Sequence, residues 1–131
     1  MGAEENAAIV RRGYEAFNSG DMDTLTELFD ESAVWHTPGR SSLAGDHQDR
    51  EAAFGYFGRL AQGAGGTFKA ELQQVLAGDD GRVVGIHHCS GERKGKHLDV
   101  DCCLVFQLED GRITEGWDYF RDLYAWDEFW S

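Results

Sequence analysis

The chain has 131 residues, of which 41% are hydrophobic, and carries three cysteines and a formal net charge of −12. That length makes one domain, 1–131, large enough to bury a real core, and the hydrophobic content excludes disorder. The acidic balance argues against a nucleic-acid surface, and no run approaches the ~20 apolar residues of a membrane span.

In chain order, the acidic opening Met1-Gly-Ala-Glu-Glu5 argues against a leader peptide. Residues 4–18 read as a helix, because Val10, Tyr14 and Phe17 recur at helical spacing and Asn18-Ser-Gly20 stops it. Asp21 caps a second, short helix with Leu25, Leu28 and Phe29 inward. Ala33–Thr37 is a short strand turned by Pro38-Gly39, and residues 40–49 read as a polar loop. A third helix covers residues 50–61, with Phe54, Phe57 and Ala61 on one stripe, and Gly63, Gly65 and Gly66 break it.

Four long strands follow, over residues 68–76, 82–90, 97–108 and 113–120. The last two flank Asp110-Gly111, a strong short-range hairpin signal. Alternation places Leu98, Val100, Cys102, Leu104 and Phe106 on one wholly apolar face, which belongs to the core. Asp99, Asp101, Cys103 and Val105 take the other face, as solvent or interface residues. In the last strand, Ile113, Glu115, Trp117 and Tyr119 alternate with Thr114, Gly116, Asp118 and Phe120, and alternation alone leaves open which set faces inward. The tail, residues 122–131, holds Tyr124, Trp126, Phe129 and Trp130; so many aromatics are expected to fold back over the domain.

Three helices and a short strand ahead of a four-strand meander imply an α+β fold. The expected form is a cone-shaped, curved antiparallel sheet of one short and four long strands, with the three helices on its concave face. A cone with an apolar wall is a natural pocket. The odd cysteine count, without a Cys-x-x-Cys pair, fits reduced thiols and a cytoplasmic protein. No helical i, i+4 histidine pair and no Gly-rich phosphate loop stand in the sequence, so neither a metal nor another cofactor is implied.

Four stretches together resemble the SnoaL-like and ketosteroid-isomerase-like proteins of the nuclear transport factor 2-like superfamily. They are Tyr14-Glu-Ala-Phe-Asn-Ser-Gly-Asp21, Phe29-Asp-Glu-Ser-Ala-Val-Trp35, Leu43-Ala-Gly45, and Phe106–Ile113 with Trp117-Asp-Tyr-Phe120. Ketosteroid isomerases place a carboxylate base where Thr37 stands, and their protonated carboxylic acid falls at Cys102, so the resemblance does not carry steroid isomerisation. Their first-helix tyrosine falls near Tyr14. Limonene epoxide hydrolases are similar over the last two strands, with an aspartate matched by Asp118, but their Arg-x-Asp falls near Gly85-Ile86-His87. SnoaL-like cyclases pair a histidine with an aspartate in the cone, as His87 with Asp118 would.

The resemblance implies that Thr114, Gly116, Asp118 and Phe120 face the cone, with Asp118 as base, His87 as acid–base partner and Tyr14 as donor. Composition does not separate His87 from His88, one of which must point outward. Trp35 and Thr37 face inward in the same register, with His36 at the rim or outside. Phe17, Trp35, Thr37, Phe54, Phe57, Cys102, Leu104 and Phe120 are the expected ligand-binding residues, and Asp118 is expected to reach His87 directly or through one water. The implied function is a cofactor-independent isomerase, cyclase or epoxide hydrolase acting on a small hydrophobic substrate. A binding module for such a ligand, and a purely structural dimer, are the alternatives. A homodimer is expected through the outer sheet face, which carries Lys69, Glu71, Val84, Ile86 and Val105.

Overall fold

A computed structural model describes residues 2–131, and Met1 lies outside the described residues. Helix α1 (Ala3–Ser19) buries Val10, Tyr14 and Ala16, and ends at Gly20, whose left-handed φ of 72° lets its N–H reach the carbonyls of the last turn. Asp21 caps α2 (Met22–Leu28) by accepting from the Thr24 N–H at 3.1 Å. Strands β1 (Phe29–Thr37) and β2 (Gly45–His47) lead to α3 (Arg50–Gly63), capped by Asp49. Then come β3 (Lys69–Ala77), β4 (Arg82–Arg93), β5 (Lys96–Glu109) and β6 (Arg112–Phe120), and last α4 (Leu123–Trp130), capped by Asp122.

The strands form one sheet in the order β2-β1-β6-β5-β4-β3. Irregularities between Leu72 and Gln74 and between Gln107 and Leu108 add local twist. The concave face is built by alternation. Val83, Gly85, His87 and Cys89 of β4 are buried on it beside Leu98, Val100, Cys102, Leu104, Phe106 and Leu108 of β5. Helix α1 packs across β3 and β4, and α3 across β1. The long strands and the first three helices stand where the sequence places them, within a few residues at their ends.

Four details differ from the sequence reading. The tail is a fourth helix, since Trp126, Phe129 and Trp130 share one side of it and are buried, whereas Tyr124 points away and is 90% exposed. The polar loop contains β2, which pairs with the end of β1, and β1 itself begins at Phe29. The sheet is not wholly antiparallel, because β1 runs parallel to β6. The buried stripe of α3 is Ala53, Tyr56, Phe57 and Leu60 rather than Phe54, Phe57 and Ala61; Ala61 is exposed.

Candidate functional site

The inward residues of β6 are Ile113, Gly116, Asp118 and Phe120 rather than one unbroken alternating set. One extra residue of β6, Thr114, is taken up between the Leu108–Ile113 and Gln107–Glu115 pairs, so the inward face passes from Ile113 to Gly116 and Thr114 is only half-buried. Asp118 is thereby carried into the cone at 8% exposure. Two glycines make room on the floor. A Cβ on Gly116 would stand 2.4 Å from the Trp35 ring, and one on Gly85 would stand 2.6 Å from the Tyr14 hydroxyl. Each glycine therefore lets an overlying polar aromatic lie directly on the sheet.

Asp118 receives three hydrogen bonds on a single oxygen. Tyr56 OH donates at 3.0 Å, Trp35 Nε1–H at 3.2 Å and Thr37 OH at 3.3 Å, all to Oδ2. Oδ1 has no partner among the described residues, and Asp118 is among the residues that line the cavity. Burial pushes the carboxyl up to about 6, against the bonds from Tyr56 and Trp35, which favour the charge. Burial likewise keeps the Tyr56 hydroxyl protonated, so that it remains a donor. With Oδ2 saturated by donors, a proton on this carboxyl resides on Oδ1.

The second polar pair lies on the β4 side. Tyr14 OH and His87 Nδ1 are 2.6 Å apart, and both residues are buried. Burial pushes the tyrosine hydroxyl far above its ordinary range. The hydroxyl has no other hydrogen-bond partner among the described residues, so it donates to Nδ1. In its neutral form the imidazole then carries its proton on Nε2. Hydrogen bonding from Cys102, and after it from His87, lowers the Cys89 thiol to about 6 against the opposing effect of burial. Beside it, hydrogen bonding to Cys89, then burial, pushes the Cys102 thiol far up, so Cys102 keeps its proton.

Between these two pairs lies a cavity of about 70 Å³. Its wall is aromatic and aliphatic, including Phe29, Phe57, Leu60, Phe68, Phe106 and Trp126, and Tyr14, His87 and Asp118 are its polar members together with Tyr56 and the Cys89 thiol. Edge-to-face contacts lock the rings, with Trp35 on Phe57 at 4.9 Å and Phe17 on Phe57 at 5.6 Å between centroids. Among the described residues, no group of three or more His, Cys, Asp or Glu side chains is arranged to hold a metal ion.

Of the residues singled out from sequence, Asp118, His87, Tyr14, Phe17, Trp35, Phe57, Leu104 and Phe120 line this cavity. Three do not. Thr37 is a buried donor to Asp118, Phe54 packs behind the wall on Phe29 at 5.4 Å, and Cys102 lies beneath the surface. The expected direct bond between Asp118 and His87 is absent. His87 pairs across to Cys102 and Asp118 to Leu104, so β5 separates them, which places their backbones on the order of 10 Å apart. Tyr14 is not a free donor, since its proton is committed to His87. His36 lies on the outer side, between Asp46 at 2.6 Å and Glu115 at 2.5 Å, away from the cavity.

Tyr56 was missed by the sequence reading. Its signal was available: Ala53, Tyr56 and Leu60 are spaced three and four apart, an apolar stripe at least as regular as the one chosen. The stacked His47 ring, 4.7 Å from Tyr56 between centroids, was hidden in the segment read as loop.

Comparison with known proteins agrees with this architecture. The model of the SnoaL-like domain matches residues 10–116. The chain superposes on Bal32a, from a soil-derived mobile gene cassette, with a TM-score of 0.97 and 65% identity over 98% of each chain. An uncharacterised protein of Mycobacterium tuberculosis is 32% identical over 94% of each chain. IdmH of Streptomyces antibioticus, a candidate polyketide cyclase, aligns at 25% identity and a TM-score of 0.74 over 88% of this chain and 91% of its own. A helix-covered cone with a sealed carboxylate, matched over most of its length by that domain, places this chain in the SnoaL-like family.

Proposed function

We propose that the protein is an acid–base enzyme that needs no cofactor and acts on a small hydrophobic substrate in the cone, in the manner of a cyclase or isomerase. The observation that carries this reading is the asymmetry of Asp118: three donors on Oδ2, and Oδ1 unpaired at an apolar cavity. A carboxyl titrating near 6 is charged at neutral pH and is a stronger base than an ordinary aspartate. The donors fix its orientation, so the proton it takes arrives at Oδ1. His87 Nε2–H, oriented by Tyr14, faces the substrate as donor to an oxygen that gains charge. The likeness to IdmH supports a cyclase-type reaction.

Asp118→Asn removes the base and keeps an acceptor for the three donors. Its turnover is expected to fall by about 10²–10⁴-fold with the fold and ligand binding retained. Full activity in this variant, measured on any substrate the native protein turns over, sinks the assignment. The alternative, a binding module, is favoured by the apolar wall of the cavity and by nothing in the carboxyl's arrangement.

We also propose a homodimer through the convex sheet face. Leu76 and Tyr119 are exposed there, and Val84, Ile86 and Val105 are half-covered with no helix over them. Sedimentation at micromolar concentration should give twice the chain mass; a monomer there rejects it.

A further inference from the structure

The Cys89 thiol lines the cavity and is idle in the acid–base chemistry proposed above. Alternation along β4 puts it on the concave face, two residues beyond His87. His87 pairs across to Cys102 and Cys89 to Val100, so Cys102 is the diagonal neighbour of Cys89 on β5. Four side chains from three elements are thereby linked. Tyr14 of α1 donates to His87 Nδ1 at 2.6 Å, and His87 and Cys102 donate to the Cys89 sulfur. Two donors on one sulfur favour the thiolate, the nucleophilic form. Tyr56 of α3 and Asp118 of β6 are the other titratable groups on this cavity. At 1% exposure Cys89 is closed to bulk solvent, and a reagent reaches it through the cavity, whose apolar wall excludes charged molecules. Trp126 of α4 gives an independent sign of a ligand. It lines the same cavity, is equally buried and stacks on Phe120 at 3.9 Å between centroids, and its Nε1–H has no partner among the described residues. A buried donor left unpaired is costly, and an oxygen on a ligand pairs it.

We propose that Cys89 is a second reactive centre of the cone, a nucleophile that adds to a small, uncharged α,β-unsaturated carbonyl compound. A thiolate is a soft nucleophile and a conjugated C=C bond a soft electrophile, and the carbonyl brings the oxygen acceptor that Trp126 lacks. The sulfur forms a bond to the β-carbon. The C=C π pair moves between the α-carbon and the carbonyl carbon, and the carbonyl π pair moves onto oxygen. The thioether so formed is a weaker acceptor than the thiolate, which leaves His87 Nε2–H and Trp126 Nε1–H as the donors available to this oxygen. One proton from solvent, the equivalent of the one Cys89 gave up, then settles on the α-carbon, and no other reactant is consumed. Asp118 takes no part.

The test uses the full chain carrying Cys103→Ser, which removes the exposed thiol of the outer face. The probe is methyl vinyl ketone, and adducts are followed by intact mass and peptide mapping. A single adduct is expected, on Cys89, with Cys102 unmodified. Its rate should be half-maximal near pH 6 and level off around neutral pH. A cysteine peptide in the same buffers should keep rising through about pH 8.5. The rate at Cys89 relative to the peptide should therefore fall by roughly tenfold or more between pH 6 and pH 9. Iodoacetate, a charged reagent, should show a Cys89-to-peptide rate ratio lower by roughly tenfold or more than that of methyl vinyl ketone. Asp118→Asn in the same background should form the same adduct, which separates this site from the carboxyl base. Modification of Cys89 only in urea, a pH profile that follows the peptide's, or loss of the adduct in Asp118→Asn overturns the nucleophile. Iodoacetate labelling Cys89 as readily as the enone, each relative to the peptide, overturns the substrate class.

Discussion

His87 and His88 leave the same stretch of β4 on opposite faces of the sheet, and they live in different chemistries. His87 is buried among aromatic rings, with one nitrogen held by the neutral Tyr14 hydroxyl. His88 is half-buried on the outer face, with Nε2 on Asp99 and Nδ1 on Asp101 at 2.7 Å. The hydrogen bond to Asp101 comes first among the causes that raise the His88 pKa, partly opposed by burial, and the bond to Asp99 adds to it. His36 repeats the outer arrangement. Burial opposes its charge, and the bonds to Asp46 and Glu115 overcome that cost and raise its pKa. The inner face thus holds proton-transfer groups away from opposite charges, which leaves them free to exchange protons with a ligand. The outer face neutralises its histidines locally with carboxylates, and most of the chain's excess of acid stays in solvent.

The largest effect expected from this contrast concerns the inner carboxyl. Asp118 has a folded-state pKa of about 6 against an ordinary value of 3.8. Because the folded pKa is the higher one, the native state holds more protons than the unfolded state between those values, and stability falls as pH rises through them. The penalty is absent below about pH 4 and complete above about pH 6.5, where it reaches roughly 3 kcal/mol. Asp118→Asn carries no such penalty. Urea unfolding of the two proteins should show the variant gaining on the native chain across pH 4–6 and a constant difference at higher pH. A difference independent of pH breaks the comparison, since it puts the carboxylate in water.

A smaller effect separates the two histidines as structural residues. His87→Phe removes the acceptor of the Tyr14 hydroxyl and leaves a buried O–H unpaired, at a cost of about 1–3 kcal/mol. Tyr14→Phe removes the donor and leaves Nδ1 unpaired. In the double variant neither group remains, so the summed losses should exceed the double loss by about 1 kcal/mol in a thermodynamic cycle. Additive losses mean that the two residues do not bond in solution.

How far all this could be read from the chain differs by level. Helices α1 to α3 and the four long strands follow from period and capping, because Asp21, Asp49 and the Asp110-Gly111 turn act through neighbours in sequence. The inward direction of Asp118 followed only from resemblance. Alternation is silent there, and the irregularity near Thr114 breaks the period it relies on. His87 and Asp118 do not bond directly, for a reason outside any local pattern: sheet order puts β5 between their strands, and order is a tertiary property. Tyr56 shows the other kind of miss. Its spacing was visible, but a tyrosine on an apolar stripe reads as core until a buried acceptor such as Asp118 gives its hydroxyl a task.

The smallest effect belongs to the outer histidine and runs in a different pH window. The His88 pKa is raised on folding above its ordinary value of 6.5. For a base the raised folded value means that the imidazolium's contribution is fully present below pH 6.5 and disappears as pH climbs through the folded value. His88→Gln keeps a polar side chain on the convex face but cannot become a cation between Asp99 and Asp101. The native chain should therefore be more stable than the variant at pH 5.5–6, and the difference should close in the alkaline range. Added salt should shrink it as well, because Asp99 is mostly exposed and the attraction is screened. Neither trend is expected for the Asp118→Asn difference, which opens between about pH 4 and pH 6.5 and lies out of reach of salt. A His88→Gln difference that stays open above neutral pH, or that ignores salt, means the ring is not held as a cation between its two aspartates.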